Sequence, residues 1–104
     1  MLATVLLMGC DAITSVRGVV RDQNGQPLAE ASVKLLATRS GRTAQRSTAA
    51  DGFFSVEIIH GVLPGPFRLE ISKNGYVTFT QDIKAKSRQE ITVVLARDES
   101  NPKL

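Results

Sequence analysis

Residues 21–37, RDQNGQPLAEASVKLLA, carry opposed instructions, and which of them prevails decides the fold. Asn24-Gly25 followed by Pro27 is turn chemistry, because Asn and Gly accept positive φ and proline presets the turn. Leu28 to Ala37 is rich in strong helix formers. As a helix, this half presents a stripe of Leu28, Ala31 and Leu35, with Ser32 beside it. As a strand, Ala31, Val33, Leu35 and Ala37 point one way and Ser32 and Lys34 face water. A segment this short is marginal as a helix and depends on tertiary packing. Its neighbours alternate at period two, and consistency between levels favours strand, with Pro27 to Glu30 as the approach to it.

Outward from that stretch the alternation recurs. Phe54, Val56 and Ile58 alternate with Ser55 and Glu57. Phe67, Leu69 and Ile71 alternate with Arg68, Glu70 and Ser72, and Ile91, Val93 and Leu95 with Thr92, Val94 and Ala96. Such patterns bury one face of a strand. Seven strands are expected, at 13–22, 32–37, 43–49, 53–59, 67–73, 77–83 and 90–96. Asn24-Gly25, Asp51-Gly52 and Asn74-Gly75 each offer a two-residue hairpin turn, the first leading into 32–37. Residues 43–49 are almost wholly polar and suit a sheet edge. Gly61 to Pro66 reads as a loop and the tail after Arg97 as frayed. The expected architecture is all-β, a seven-stranded antiparallel Greek-key sandwich.

The chain has 104 residues, which predicts one domain, and its 42% hydrophobic content is ordinary for a globular protein. A net charge of +3 is too weak to argue for nucleic acid. One cysteine excludes an internal disulfide and a cysteine-based zinc cluster. The absence of tryptophan removes the most obvious platform for stacking bases or sugars. No cofactor or metal site is expected.

The N-terminus, MLATVLLMGCD, is apolar through Gly9 and then changes character. It is about half the length that crosses a bilayer. It fits the apolar part of a secretory signal over residues 1–9. Leu7-Met8-Gly9-Cys10 resembles the lipobox of bacterial lipoproteins, although Met8 is a less usual occupant and no Lys or Arg precedes the run. That resemblance implies cleavage before Cys10, acylation of the cysteine, and residues 10–15 as anchor and short linker. By analogy with envelope sorting, Asp11 implies the inner membrane. The competing reading of the residues is an N-terminal strand with a buried free cysteine.

Between these ends the order of motifs resembles the carboxypeptidase regulatory-like domain family. Gly18/Val20 fit its Gly-x-Val strand, and Asp22/Gly25/Pro27/Leu28 fit its Asp-x-x-Gly-x-Pro-Leu turn. Ala31/Val33, Thr48/Asp51/Gly52/Phe54 and Lys73/Gly75/Tyr76 fit the later blocks. The resemblance implies a transthyretin-like sandwich over residues 16–97, generally non-catalytic, with a flexible tail at 98–104. Transthyretin-like folds also include hydroxyisourate hydrolase, whose site resembles a cluster of several histidines with arginine. This chain has one histidine.

Each candidate site residue has a structural explanation beside the functional one. Asp22-x-Asn24-Gly25 superficially looks like a calcium loop, but Gln26-Pro27-Leu28 offer no further ligands, and a turn explains it. His60 reads as a solvated loop histidine; Ser55 and Glu57 precede it but point outward, and no Gly-x-Ser-x-Gly elbow is present. Arg39, Arg42 and Arg46 crowd one hairpin, either as an edge-protecting charge cluster or as a contact for anionic lipid or an acidic partner. Ile59, Val62 and Leu63 either cap the sandwich or offer an apolar contact. The expected function is a non-enzymatic, lipid-anchored module of the bacterial cell envelope that binds a protein partner, with carbohydrate binding as the alternative.

Overall fold

A computed structural model describes residues 12–60, 66–85 and 87–99. The described strands are β1 Ala12–Asp22, β2 Ser32–Ala37, β3 Thr43–Ser47, β4 Phe53–His60, β5 Phe67–Ser72, β6 Phe79–Ile83 and β7 Arg88–Leu95. They form a three-stranded sheet in the order β4-β1-β7 and a four-stranded sheet in the order β3-β2-β5-β6. This is the expected sandwich, and each expected strand is present with slightly different ends. The apolar N-terminal run, Cys10, Asp11, residues 61–65 with Val62 and Leu63, Lys86 and residues 100–104 lie outside the described residues.

Residues 32–37 are strand, as the alternation predicts. Ala31, Val33, Leu35 and Ala37 are buried, while Ser32 and Lys34 are half-buried. β2 lies between β3 and β5, so both of its backbone edges carry ladders that a helix would forfeit. Its register sets Val33 against Ile71, Leu35 against Leu69 and Ala37 against Phe67, apolar beside apolar on one face. Facing them across the sandwich, the other sheet contributes Val16, Val20, Phe54, Val56, Val93 and Leu95. Each such side chain stabilises the fold by roughly 1.5–3 kcal/mol on full burial. β3 is an edge strand with mostly exposed residues, as its polar sequence requires.

Several expectations are corrected. Asn24-Gly25 does not turn β1 into β2, because those strands lie in different sheets. The turn returns the chain only as far as Pro27, bridged to Arg21, and Leu28, whose N–H donates to the Val20 carbonyl. The chain then crosses between sheets through Glu30, at φ 59°. Asp51-Gly52 likewise joins strands of different sheets, and Asn74-Gly75 joins the paired strands β5 and β6 within a longer connection. A turn signal reports a local reversal and not which strands pair.

The pairing of β1 with β7 is parallel, whereas the other pairs are antiparallel. β7 reaches its sheet from β6 in the opposite sheet, so no hairpin sets its direction. It enters at the end where β1 begins. Close approach there accounts for Gly18: a Cβ at this position would stand 1.8 Å from the Ile91 carbonyl oxygen. β1 also starts at Ala12, inside the stretch expected as linker, and pairs Ala12 with His60. His60 is thus the last residue of a strand and not a loop residue. The tail is tied at its start, where the Asp98 N–H donates to the Gly75 carbonyl.

Candidate functional site

The sandwich has two ends of different construction. At one end, near the close of β1, all three family turns converge. The Asp22 carboxylate accepts hydrogen bonds from the N–H groups of Asn24 at 2.8 Å and Gln26 at 2.9 Å. It is a turn-forming acceptor, which supplies the structural explanation for the calcium-like spelling. Asp51 does the same for the Phe53 N–H. Thr48 is buried; its hydroxyl accepts from the Ala31 N–H at 2.9 Å and donates to the Leu28 carbonyl at 2.6 Å. The Lys73 ammonium donates to the Ala29 carbonyl. The motif residues are therefore consumed in holding crossing segments together. Among the described residues, no group of three or more His, Cys, Asp or Glu could hold a metal ion.

A shallow groove of about 580 Å³ opens beside these turns, lined by Glu30, Lys73, Tyr76 and Asp98 among others. One face of its aromatic ring is approached by Arg97, whose guanidinium carbon lies 6.0 Å from the Tyr76 ring centroid. A second depression, about 450 Å³, lies on the outward face of the three-stranded sheet and includes Ser15, Ser55, Glu57 and Arg88. It holds an exposed Arg17–Glu90 ion pair at 3.0 Å, which contributes at most about 1 kcal/mol. Ser55 and Glu57 stand on its solvated outward face, as expected.

The opposite end is basic. Ala37, Phe67 and Ile83 form the terminal row of the four-stranded sheet. Arg39 follows Ala37 in the β2–β3 turn, and Lys84 follows Ile83. In the other sheet, Ser15 registers with Arg88, and its N–H donates to the Ser87 carbonyl. Arg42 joins the two sheets, its guanidinium donating to the Ile59 carbonyl at 3.1 Å. Arg42 and Arg46 share a groove of about 310 Å³ with Glu57 and the exposed Ile59.

Of the three arginines expected to cluster, the structure brings Arg42 and Arg46 to one groove and leaves Arg39 at the turn. Sequence reasoning missed Lys84 and Arg88. Their spacing around a strand start was visible, but only the topology brings them to the end that carries Arg39 and Arg42.

The fold and its turns define a two-sheet β-sandwich domain. The chain belongs to the carboxypeptidase regulatory-like domain family, whose profile matches residues 15–96. No curated protein matches the chain. Among solved structures it is similar to 3-chlorocatechol 1,2-dioxygenase from Rhodococcus opacus 1CP, with a TM-score of 0.61 and 14% identity over 84% of this chain and 61% of that one. It is also similar to catechol 1,2-dioxygenase from Pseudomonas arvilla C-1, with a TM-score of 0.63 and 16% identity over 88% and 54%. Hydroxyquinol 1,2-dioxygenase from Pseudomonas putida DLL-E4 gives 0.59 and 11% over 84% and 57%. The chain thus spans less than two thirds of these enzymes. At such identity the likeness is one of fold alone.

Proposed function

We propose that this chain is a non-catalytic module of the bacterial cell envelope, held at a membrane by acyl chains on Cys10 and used to contact a protein partner. The observation that carries this reading is the place of Cys10. It is the chain's one cysteine, it closes an apolar run, and it stands immediately before Asp11 and the first strand. Acylation of such a residue anchors through about 0.8 kcal/mol per buried methylene, and several chains together hold stably. Asp11 then favours the inner membrane.

The non-catalytic assignment draws on the family, described as regulatory-like, and on the consumption of its motif residues in turns and crossings. Carbohydrate binding draws less support, because the groove that would serve it offers Tyr76 already faced by Arg97.

Mass spectrometry of the protein from its native membrane is expected to find a diacylglyceryl group on Cys10, and Cys10→Ala to move the protein into the soluble fraction. An unmodified thiol in the membrane-bound protein defeats the anchor. Crosslinking in cells, followed by mass-spectrometric identification, is expected to return a protein partner; capture of polysaccharide alone would favour the carbohydrate reading.

A further inference from the structure

We infer that the basic end of the sandwich is a docking surface for an anionic lipid bilayer. Arg39 and Arg42 come from the β2–β3 connection, Lys84 from the β6–β7 connection and Arg88 from the start of β7, and the topology gathers them at one end. All four are exposed. The ion pairs found among the described residues, Arg17–Glu90 and Arg68–Asp82, use none of them. Glu57, in the groove with Arg42 and Arg46, offsets part of this charge.

Two features favour lipid over an acidic polypeptide. Ile59 is 55% exposed, and its carbonyl accepts from the Arg42 guanidinium, so an aliphatic side chain and a cation stand together. That combination matches the boundary between headgroups and acyl chains. Ala12, the first residue of β1, also lies at this end, paired with His60. If Cys10 carries the anchor, as the envelope reading on which this inference rests requires, the two steps to Ala12 span at most about 7 Å. Ala12 then lies within about one Debye length of the surface, which makes the basic end the one nearest to anionic lipid. The opposite end, with Asp22, Glu30, Asp51 and Asp98, is directed away from the bilayer.

The test uses the unacylated full chain carrying Cys10→Ser. Sedimentation with vesicles is compared between phosphatidylcholine alone and equal parts phosphatidylcholine and phosphatidylglycerol. Binding is expected to be stronger to the anionic vesicles and to fall with added salt. Arg39→Ser and Lys84→Ser are each expected to weaken it about fivefold. The combined Arg39→Glu, Arg42→Glu and Lys84→Glu protein is expected to lose the preference while keeping a β-type circular dichroism spectrum. Arg97→Glu, at the other end, is expected to leave it unchanged.

Equal partition to both vesicles overturns the inference, as does an equal response to reversals at either end. Binding to polyglutamate with no preference for anionic vesicles also overturns it and assigns the surface to an acidic protein. The two readings fail separately: an unmodified Cys10 with intact vesicle preference removes the anchor alone, and an acylated Cys10 without that preference removes this surface alone.

Discussion

The two ends of the sandwich carry polar residues in comparable variety and use them in opposite ways. At the turn end, Asp22 and Asp51 spend their side chains on backbone groups of their own turns, and Thr48 and Lys73 on those of crossing segments. At the basic end, Arg39 and Lys84 project from connections and Arg88 from the start of β7, while the Arg42 guanidinium is braced against the Ile59 carbonyl. The family motifs fall at the first end because chain crossings between sheets need specific acceptors and specific φ values there. The second end is tied by short hydroxyl side chains: Thr38 donates to the Pro66 carbonyl, Ser87 donates to the Lys84 carbonyl, and Ser40 accepts from the Arg42 N–H. That leaves the long cationic side chains of Arg39, Lys84 and Arg88 available to a partner. A recognisable motif therefore marks where this fold is stitched, and the exposed cations of Arg39, Lys84 and Arg88 lie where the motif is silent.

Substitutions at the two ends can break or sharpen that contrast. Gly52→Ala is expected to have the largest effect, because Gly52 has φ +84° and a Cβ would stand 2.5 Å from the Val20 carbonyl oxygen. A loss of about 3 kcal/mol or more is expected, read as a lower urea midpoint. Thr48→Val keeps the shape but removes both hydroxyl bonds, leaving the Ala31 N–H and Leu28 carbonyl without that partner. It is expected to cost about 2 kcal/mol in the same measurement. Asp22→Ala loosens a solvent-accessible turn and should lower stability by about 1 kcal/mol. Arg39→Ser is the smallest case, with an unchanged midpoint. A large loss of stability there would show that the cations also stitch the basic end and would erase the contrast.

Much of the fold was legible because burial at period two is written directly into strands. Phe54, Val56 and Ile58 face inward and Ser55 and Glu57 outward, as alternation requires. Strand 32–37 was legible for the same reason, despite its helical composition. Partnership was not legible. Ile91 to Leu95 would alternate identically beside any neighbour, so nothing in them names β1 or a parallel direction. The carboxylate of Asp22 was legible as a turn former, since its partners Asn24 and Gln26 lie in its own turn. The acceptor and donor roles of the Thr48 hydroxyl, by contrast, depend on Ala31 and Leu28, brought from elsewhere in the chain. At the basic end Arg39, Arg42 and Arg46 could be seen as neighbours along the chain. Lys84 and Arg88 could not, since they join the surface through sheet order.

The placement of β1 also bears on the order in which the molecule can assemble. β1 is the first of the described strands and the middle strand of its sheet, between β4 and β7. Its contact with β7 links residues as far apart as Arg17 and Glu90, 73 positions along the chain. Loop closure of that length precedes the contacts that reward it, which slows folding. Until β7 arrives, β1 presents an unpaired edge to any strand that meets it. The earliest of the described strands along the chain is among the last to be enclosed.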